Sequence, residues 1–259
     1  MKAEVMIKMK IFVTDKYRVL TFMLICTVIG IGAILSRGGS QTVSNTPRII
    51  PIYSVERDDN KLAVTFDCAW GSDDIDSILS TLKKHDCKAT FFVLGTWAEK
   101  NSDAMKKIVS EGHEIGNHSY NHTHYTTLTS DKMLEDIKKA NESIKKSCGI
   151  SPVLFRAPSG DYNNTVIEVC HSAQMEYIQW SLDSLDWRNL SCEQMMERIV
   201  PKAKSGDILL FHNGTKYTAK SLDSILTALE GKGFSFARVS DIIYKENYIT
   251  DHTGRQIPK

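Results

Sequence analysis

The chain has 259 residues, 42% of them apolar and 24% charged, with 15 Gly and 6 Pro. That composition excludes a disordered or collagen-like protein and fits one domain of about 200 residues beyond the N-terminal region. Formal charge is +1; Lys2, Lys8, Lys10, Lys16 and Arg18 against Glu4 and Asp15 give residues 1–18 a charge of +3 and leave about −2 for the rest. A near-neutral body with no basic, aromatic-interleaved stripe excludes nucleic-acid binding driven by phosphate neutralisation.

The basic head, residues 1–18, leads into Val19 to Leu35 (VLTFMLICTVIGIGAIL), a run without a charge. A run of this length crosses a bilayer, and the basic flank keeps the N-terminus in the cytoplasm. Residues 19–36 are therefore read as a transmembrane anchor in the cell membrane, single-pass, with the rest of the chain extracytoplasmic. A cleaved signal segment, leaving the protein secreted, is the alternative, because Gly30, Gly32 and Ala33 end the run. Residues 37–58, opening on RGGSQTVSNTP, read as a linker, 59–250 as the folded domain and 251–259 as a C-terminal tail.

Within the folded part, Leu62 to Phe66 reads as a buried strand, and Ile75, Ile78, Leu79 and Leu82 then recur with the period of a helix face. Ala89 to Leu94 is the next strand, followed by a helix around Met105 to Val109 and a short strand at Glu114 to Gly116. Met133, Leu134, Ile137 and Ile144 mark a long helix after Thr129 and Ser130, which are good N-cap residues. Further strands are expected at Val153 to Arg156, Glu176 to Trp180, Asp207 to Phe211 and Phe234 to Ala237. Helices are expected near Asn164 to Ala173, Cys192 to Ala203, Ser221 to Leu229 and Val239 to Tyr244. Seven strands alternating with helices predict an α/β fold, a single distorted (β/α) barrel of about seven parallel strands with functional residues at the strand C-termini. The six cysteines (Cys26, Cys68, Cys87, Cys148, Cys170, Cys192) show no C-x-x-C spacing, which excludes zinc-ribbon and dithiol redox readings and leaves disulfide pairing open.

The polar residues that follow the strands are of a kind that does chemistry. Asp67 ends LAVTF, Arg156 ends VLF, and His212 ends DILLF; Glu114 to Gly116 runs into His118, His122 and His124, and Asp183 and Asp186 follow Trp180. Two imidazoles four apart, His118 and His122, grip a divalent ion from one turn or tight loop when a carboxylate completes the set. An H-x-x-x-H is weak alone, and the absence of H-E-x-x-H excludes the zincin pattern. Asp67 is either a cap for the following turn or a base for an activated water. Arg156 beside it would hold the carboxylate ionised, and His212 charged by Asp186 would supply a proton to a leaving amine. Trp70, Trp97, Tyr120 and Trp187 are candidates for stacking on sugar rings.

At these residues the chain resembles the NodB-homology polysaccharide deacetylases, carbohydrate esterase family four, from about Lys61 to Tyr244. Thr65-Phe66-Asp67 is similar to the motif TFDD, His118 to His122 to H-[ST]-x-x-H, and Arg156 to Gly160 to R-x-P-Y-G. Asp183 to Trp187 is similar to D-x-x-D-W, and Leu210-Phe211-His212 to L-x-H. Five motifs in order are far more specific than any one. The T-F-D-x-x-W-G variant behind an N-terminal anchor resembles the sporulation-associated bacterial branch. The resemblance implies Asp67 as general base, His118 and His122 as metal ligands, and Arg156 orienting Asp67. It implies Asp186 tuning His212, the proton donor, with Ser159 lending a backbone N–H to the oxyanion and Trp187 and Leu210 walling the substrate site.

Two positions depart from the family pattern. Ser159 replaces the Tyr of R-x-P-Y-G, a mild change where a backbone N–H is what counts. Cys68 replaces the second Asp of TFDD, which the resemblance makes a metal ligand. Asp74 is the favoured replacement, ahead of Asp73 and Cys68, although Asp73 and Asp74 also suit the start of a helix. The expected cofactor is one divalent metal ion, zinc first, with cobalt or manganese as alternatives. The expected activity is removal of N-acetyl groups from amino sugars of cell-wall glycan, peptidoglycan or chitin-like, with acetate released. An O-acetyl esterase on xylan-type glycan and an inactive glycan-binding scaffold are the alternatives.

Overall fold

The computed structural model describes residues 47–259. Its elements begin with β1 (Ser54–Val55), β2 (Lys61–Cys68), α1 (Ile75–Lys84), β3 (Thr90–Val93), α2 (Gly95–Lys100), α3 (Ser102–Ser110), β4 (Glu114–Asn117) and α4 (Ser130–Cys148). They continue with β5 (Leu154–Phe155), α5 (Asn164–Ser172), β6 (Glu176–Tyr177), β7 (Leu182–Asp183), α6 (Cys192–Ile199), β8 (Ile208–His212), α7 (Thr218–Glu230), β9 (Ser235–Ala237), α8 (Val239–Ile242), β10 (Tyr248–Thr250) and β11 (Arg255–Pro258).

The main sheet runs β6-β5-β4-β3-β2-β8-β7, every neighbouring pair parallel, with β9 beside the first half of β2. The ends of this path, β6 and β7, do not pair. Near them, Ile52 bridges to Ile178 and Ser54 to Asp207. The result is the expected α/β architecture in an open form, a curled and incomplete (β/α) barrel.

Strand alternation sorts the side chains. On β2, Leu62, Val64, Phe66 and Cys68 pack with Leu209 and Phe211 of β8 against Ile78 and Leu82 of α1 and Leu222 and Ile225 of α7. The opposite face carries Ala63, which joins Phe92, Ile208, Leu154, Ile178, Val239 and Ile242 in a second core inside the curl. Thr65 and Asp67 continue that inner row on β2, as Leu210 and His212 do on β8. Burying each Leu, Ile or Phe contributes about 1.5–3 kcal/mol, so a one-residue slip of β2 would cost several such terms at once. Register then pairs Asp67 with His212 across β2 and β8 and with Phe92 across β2 and β3.

Several expectations change. Residues 54–55, read as linker, and 255–258, read as tail, pair in a three-stranded sheet ordered β1-β11-β10. Gln256 anchors it from a buried position, with its side chain accepting from Tyr244 N and donating to Tyr244 O. Backbone pairing of segments some 200 residues apart leaves no local apolar pattern to read. The strands expected at Val153 to Arg156 and Glu176 to Trp180 shorten to Leu154–Phe155 and Glu176–Tyr177. The head, the span at 19–36 and the start of the linker lie outside the described residues, among which no helix is long and apolar enough to cross a membrane. Cys68, Cys87, Cys148, Cys170 and Cys192 are all free thiols.

Candidate active site

The inner row of β2 and β8 ends in an open cavity of about 700 Å³ lined by Asp67, His118, His122, Ser159, Leu210, His212 and Trp187, among others. Arg156, directly after β5, is fully buried and reaches under this cavity. Its Nη1 donates to Asp67 Oδ1 (2.8 Å) and to Thr65 Oγ1 (2.9 Å), its Nη2 to Gln179 O (2.9 Å). The guanidinium carbon also lies 4.0 Å from the centroid of the Phe92 ring. Burial opposes charge on Asp67, but His118, which is charged only at low pH, together with Arg156 and His212 overcomes that penalty and holds the carboxyl below the usual carboxylate range.

His118 and His122 lie on the tight loop after β4. Ser119 and His122 both take the left-handed conformation (φ 77° and 67°), which costs a side-chain-bearing residue about 1–3 kcal/mol. The loop is held by Asn117 Oδ1 accepting from Ser119 N (2.7 Å), Ser119 Oγ from His122 N (3.0 Å) and Asp136 Oδ1 from Tyr120 N (2.9 Å). Nδ1 of His118 lies 2.8 Å from Arg156 O. A carbonyl only accepts, so Nδ1 carries the proton and Nε2 keeps its lone pair. That Nε2 is 3.6 Å from Asp67 Oδ2, and the two imidazole centroids are 5.5 Å apart. Burial lowers both rings, His118 to about 4, so they are neutral donors near pH 7.

Across the cavity the arrangement reverses. Asp186, fully buried in a single 3₁₀ turn, accepts at Oδ1 from His212 Nδ1 (2.7 Å) and Trp187 N (2.9 Å). Its Oδ2 accepts from His212 N (2.7 Å) and Thr218 Oγ1 (2.5 Å). Burial opposes charge on His212, and the hydrogen bond and field of Asp186 outweigh it, raising the imidazole above 6.5. A carboxylate pushed toward its ionised form thus shares the cavity with an imidazole pushed toward its protonated form, a pair suited to accept one proton and donate another.

Residues 54–178 match the family model described as polysaccharide deacetylase. The Bacillus cereus protein named peptidoglycan-N-acetylglucosamine deacetylase is 32% identical over 196 residues, which cover 74% of this chain and 92% of that protein. The chain belongs to the polysaccharide deacetylase family. It is also 36% identical over 193 residues to the uncharacterized protein YlxY of Bacillus subtilis, spanning 74% of this chain but 60% of YlxY. In three dimensions it is similar, with a TM-score of 0.72 and 31% identity over 80% of this chain and 70% of the other, to a CE4 family pseudoenzyme from Bacillus anthracis. A mutant of that pseudoenzyme has restored enzymatic activity.

Against this deacetylase family the first-motif replacement matters most. Asp74 does not join the histidines: its Oδ2 accepts from Gly214 N (2.7 Å), latching the loop after β2 onto the loop after β8. Of the other two alternatives, Asp73 is exposed, and Cys68 alternates to the helix-facing core, where burial pushes its thiol well up. Among the described residues no group of three His, Cys, Asp or Glu comes together to hold a metal ion. The two neutral imidazoles, with the Nε2 lone pair of His118 beside a carboxylate oxygen, do fit a borderline divalent cation held by two protein ligands.

Ser159 adopts φ +58° and lines the cavity. The next residue, Gly160 (φ +66°), is required as glycine, because a Cβ there would come within 2.9 Å of the Trp180 ring. Trp70 and Trp187, 50% and 53% exposed, flank the cavity. Trp97 is instead buried in the helix-facing core with Nε1 donating to Gly71 O (3.2 Å), and Tyr120 packs under Lys139 away from the cavity. Sequence reasoning missed Trp180, Asn189 and Lys216 on the cavity wall, and Thr65 and Thr218 beneath it. The inner-row alternation pointed to Thr65; loop residues such as Lys216 carry no such periodic signal.

Proposed function

We propose that the chain is a metal-dependent deacetylase that removes N-acetyl groups from amino sugars of cell-wall glycan. The observation that carries this reading is the Asp67 carboxylate, clamped by Arg156 and neighbouring His118 Nε2, in one cavity with a His212 charged by Asp186. His118 and His122 would hold the divalent cation, zinc before cobalt or manganese for an imidazole pair, and bound there it supplies a Lewis acid for the acetamide carbonyl. Asp67 accepts the proton of the attacking water, and Arg156 keeps it ionised. His212 delivers a proton to the departing amine nitrogen, and Asp186 keeps that proton available. Ser159 lends its backbone N–H to the developing oxyanion, Leu210 floors the cavity, and Trp187 walls it against a sugar ring. The uncharged run at 19–36 supports a membrane-anchored, extracytoplasmic placement beside such a substrate, or secretion if the segment is cleaved.

The test is acetate release from N-acetylglucosamine oligomers and from peptidoglycan by the full chain supplied with metal. Release that disappears in Asp67→Asn is expected; no release from either glycan at full metal occupancy would contradict the reading. A second reading, a glycan-binding protein without turnover, is favoured by the two-ligand grip and the helix-facing Cys68. Glycan binding retained with no metal uptake and no acetate would select it.

A further inference from the structure

We infer that Lys216 makes this cavity select glycans bearing a carboxylate close to the reactive acetamide, of the kind an O-lactyl ether places on an amino sugar; the inference rests on the deacetylase reading above. Of the other charges lining the cavity, those of Asp67 and His212 are paired, and Asp183 forms no ion pair among the described residues. Asp67 is balanced by Arg156 and His212 by Asp186, and the Asp183 carboxylate accepts from Leu185 N (2.8 Å). Lys216 is exposed at the cavity wall, its ammonium 4.9 Å from the centroid of the Tyr217 ring. No carboxylate among the described residues forms an ion pair with it.

The turn that carries Lys216 is pinned on both sides. Asn213 Nδ2 donates to Gly71 O, and Gly214 N to Asp74 Oδ2 (2.7 Å). Gly214, at φ +68°, packs so closely that a Cβ would lie 3.0 Å from Trp70 Cβ. Beyond Lys216, Thr218 N donates to Thr215 Oγ1 (3.2 Å), and Thr218 Oγ1 reaches Asp186 (2.5 Å). A backbone fixed before the ligand arrives loses less entropy on binding, so an uncompensated cation there discriminates more than one on a mobile loop. A neutral glycan still meets Trp70, Trp187 and Asn189. Only an anionic one gains an ion pair with the ammonium.

The experiment compares a neutral N-acetylglucosamine tetrasaccharide with a tetrasaccharide alternating N-acetylglucosamine and N-acetylmuramic acid, using the full chain loaded with zinc. Lys216→Met should lower the ratio of kcat/KM for the acidic over the neutral oligomer about fivefold to tenfold, mainly through KM, and the wild-type preference should fade as salt rises. Lys216→Arg should restore the ratio, and Lys220→Met, exposed on α7 outside the cavity, serves as the surface-charge control. Dissociation constants for the same two oligomers read the ratio without turnover. A ratio that shifts in binding while no acetate is released supports the role of Lys216 and removes the deacetylase reading. A ratio unchanged in Lys216→Met overturns the inference whether or not acetate appears.

Discussion

His118 and His212 face one cavity and are both largely removed from water, yet they are driven in opposite directions. His118 donates its Nδ1–H to a backbone carbonyl, and burial lowers it to about 4. His212 donates its Nδ1–H to the Asp186 carboxylate and is raised above its ordinary value despite burial. One ring is left as a neutral electron-pair donor and the other as a proton donor. What differs is the acceptor on the far side of each ring, which shows that the partner of an imidazole assigns its role more firmly than depth does. The Asp67–Arg156 clamp lies between them and keeps the base side ionised.

The largest effect expected from breaking this division is in Asp67→Asn, which removes the carboxylate beside Nε2 of His118 that is proposed to take the proton. Acetate release should fall about 10²–10⁴-fold, the usual contribution of a general base, with far-UV circular dichroism unchanged. Asp186→Asn should come next. It strips His212 of its counter-charge, so the alkaline limb of the pH–rate profile should move to lower pH. In the native chain the raised pKa of His212 means that the pair's stabilisation is full below about 6.5 and fades as pH rises through the folded value. The melting-temperature gain of native chain over Asp186→Asn should therefore shrink with rising pH; a gain that grows with pH would contradict the ion pair.

Smaller changes sharpen the same contrast. Thr218→Val keeps the shape and removes one donor to Asp186, an expected loss of about 1 kcal/mol of stability in denaturant melts. Trp70→Ala touches neither imidazole's partner. With a ring 5.7 Å from that of His212 and half its surface exposed, it should raise KM a few-fold, in line with about 0.5–1.5 kcal/mol for an aromatic stacking contact, and leave kcat and melting temperature near native.

Much of this was legible because it is periodic or local. The apolar runs at β2 and β8 announce buried strands, and the polar residues that interrupt them, Asp67 and His212, are the ones alternation turns inward and register sets side by side. The same alternation, already present in LAVTFDC, turns Cys68 away from the histidines. Asp74 was harder. Its partner Gly214 is 140 residues away on another loop, and nothing in WGSDD distinguishes a carboxylate reaching a cation from one latching a neighbouring turn. The β1 and β11 pairing was hidden for a related reason, since backbone hydrogen bonds between distant segments impose no side-chain pattern.

In the proposed function, two imidazoles alone, beside Asp67, would provide the protein's grip on a cation. An anomalous-difference map from crystals soaked in zinc and measured at the zinc edge tests it most directly. One peak is expected, bound by Nε2 of His118 and by His122, next to Asp67, with neither Asp74 nor Cys68 in the coordination shell. A peak ligated by Asp74 or Cys68, or no peak at the His118 and His122 pair at full soaking concentration, would contradict it.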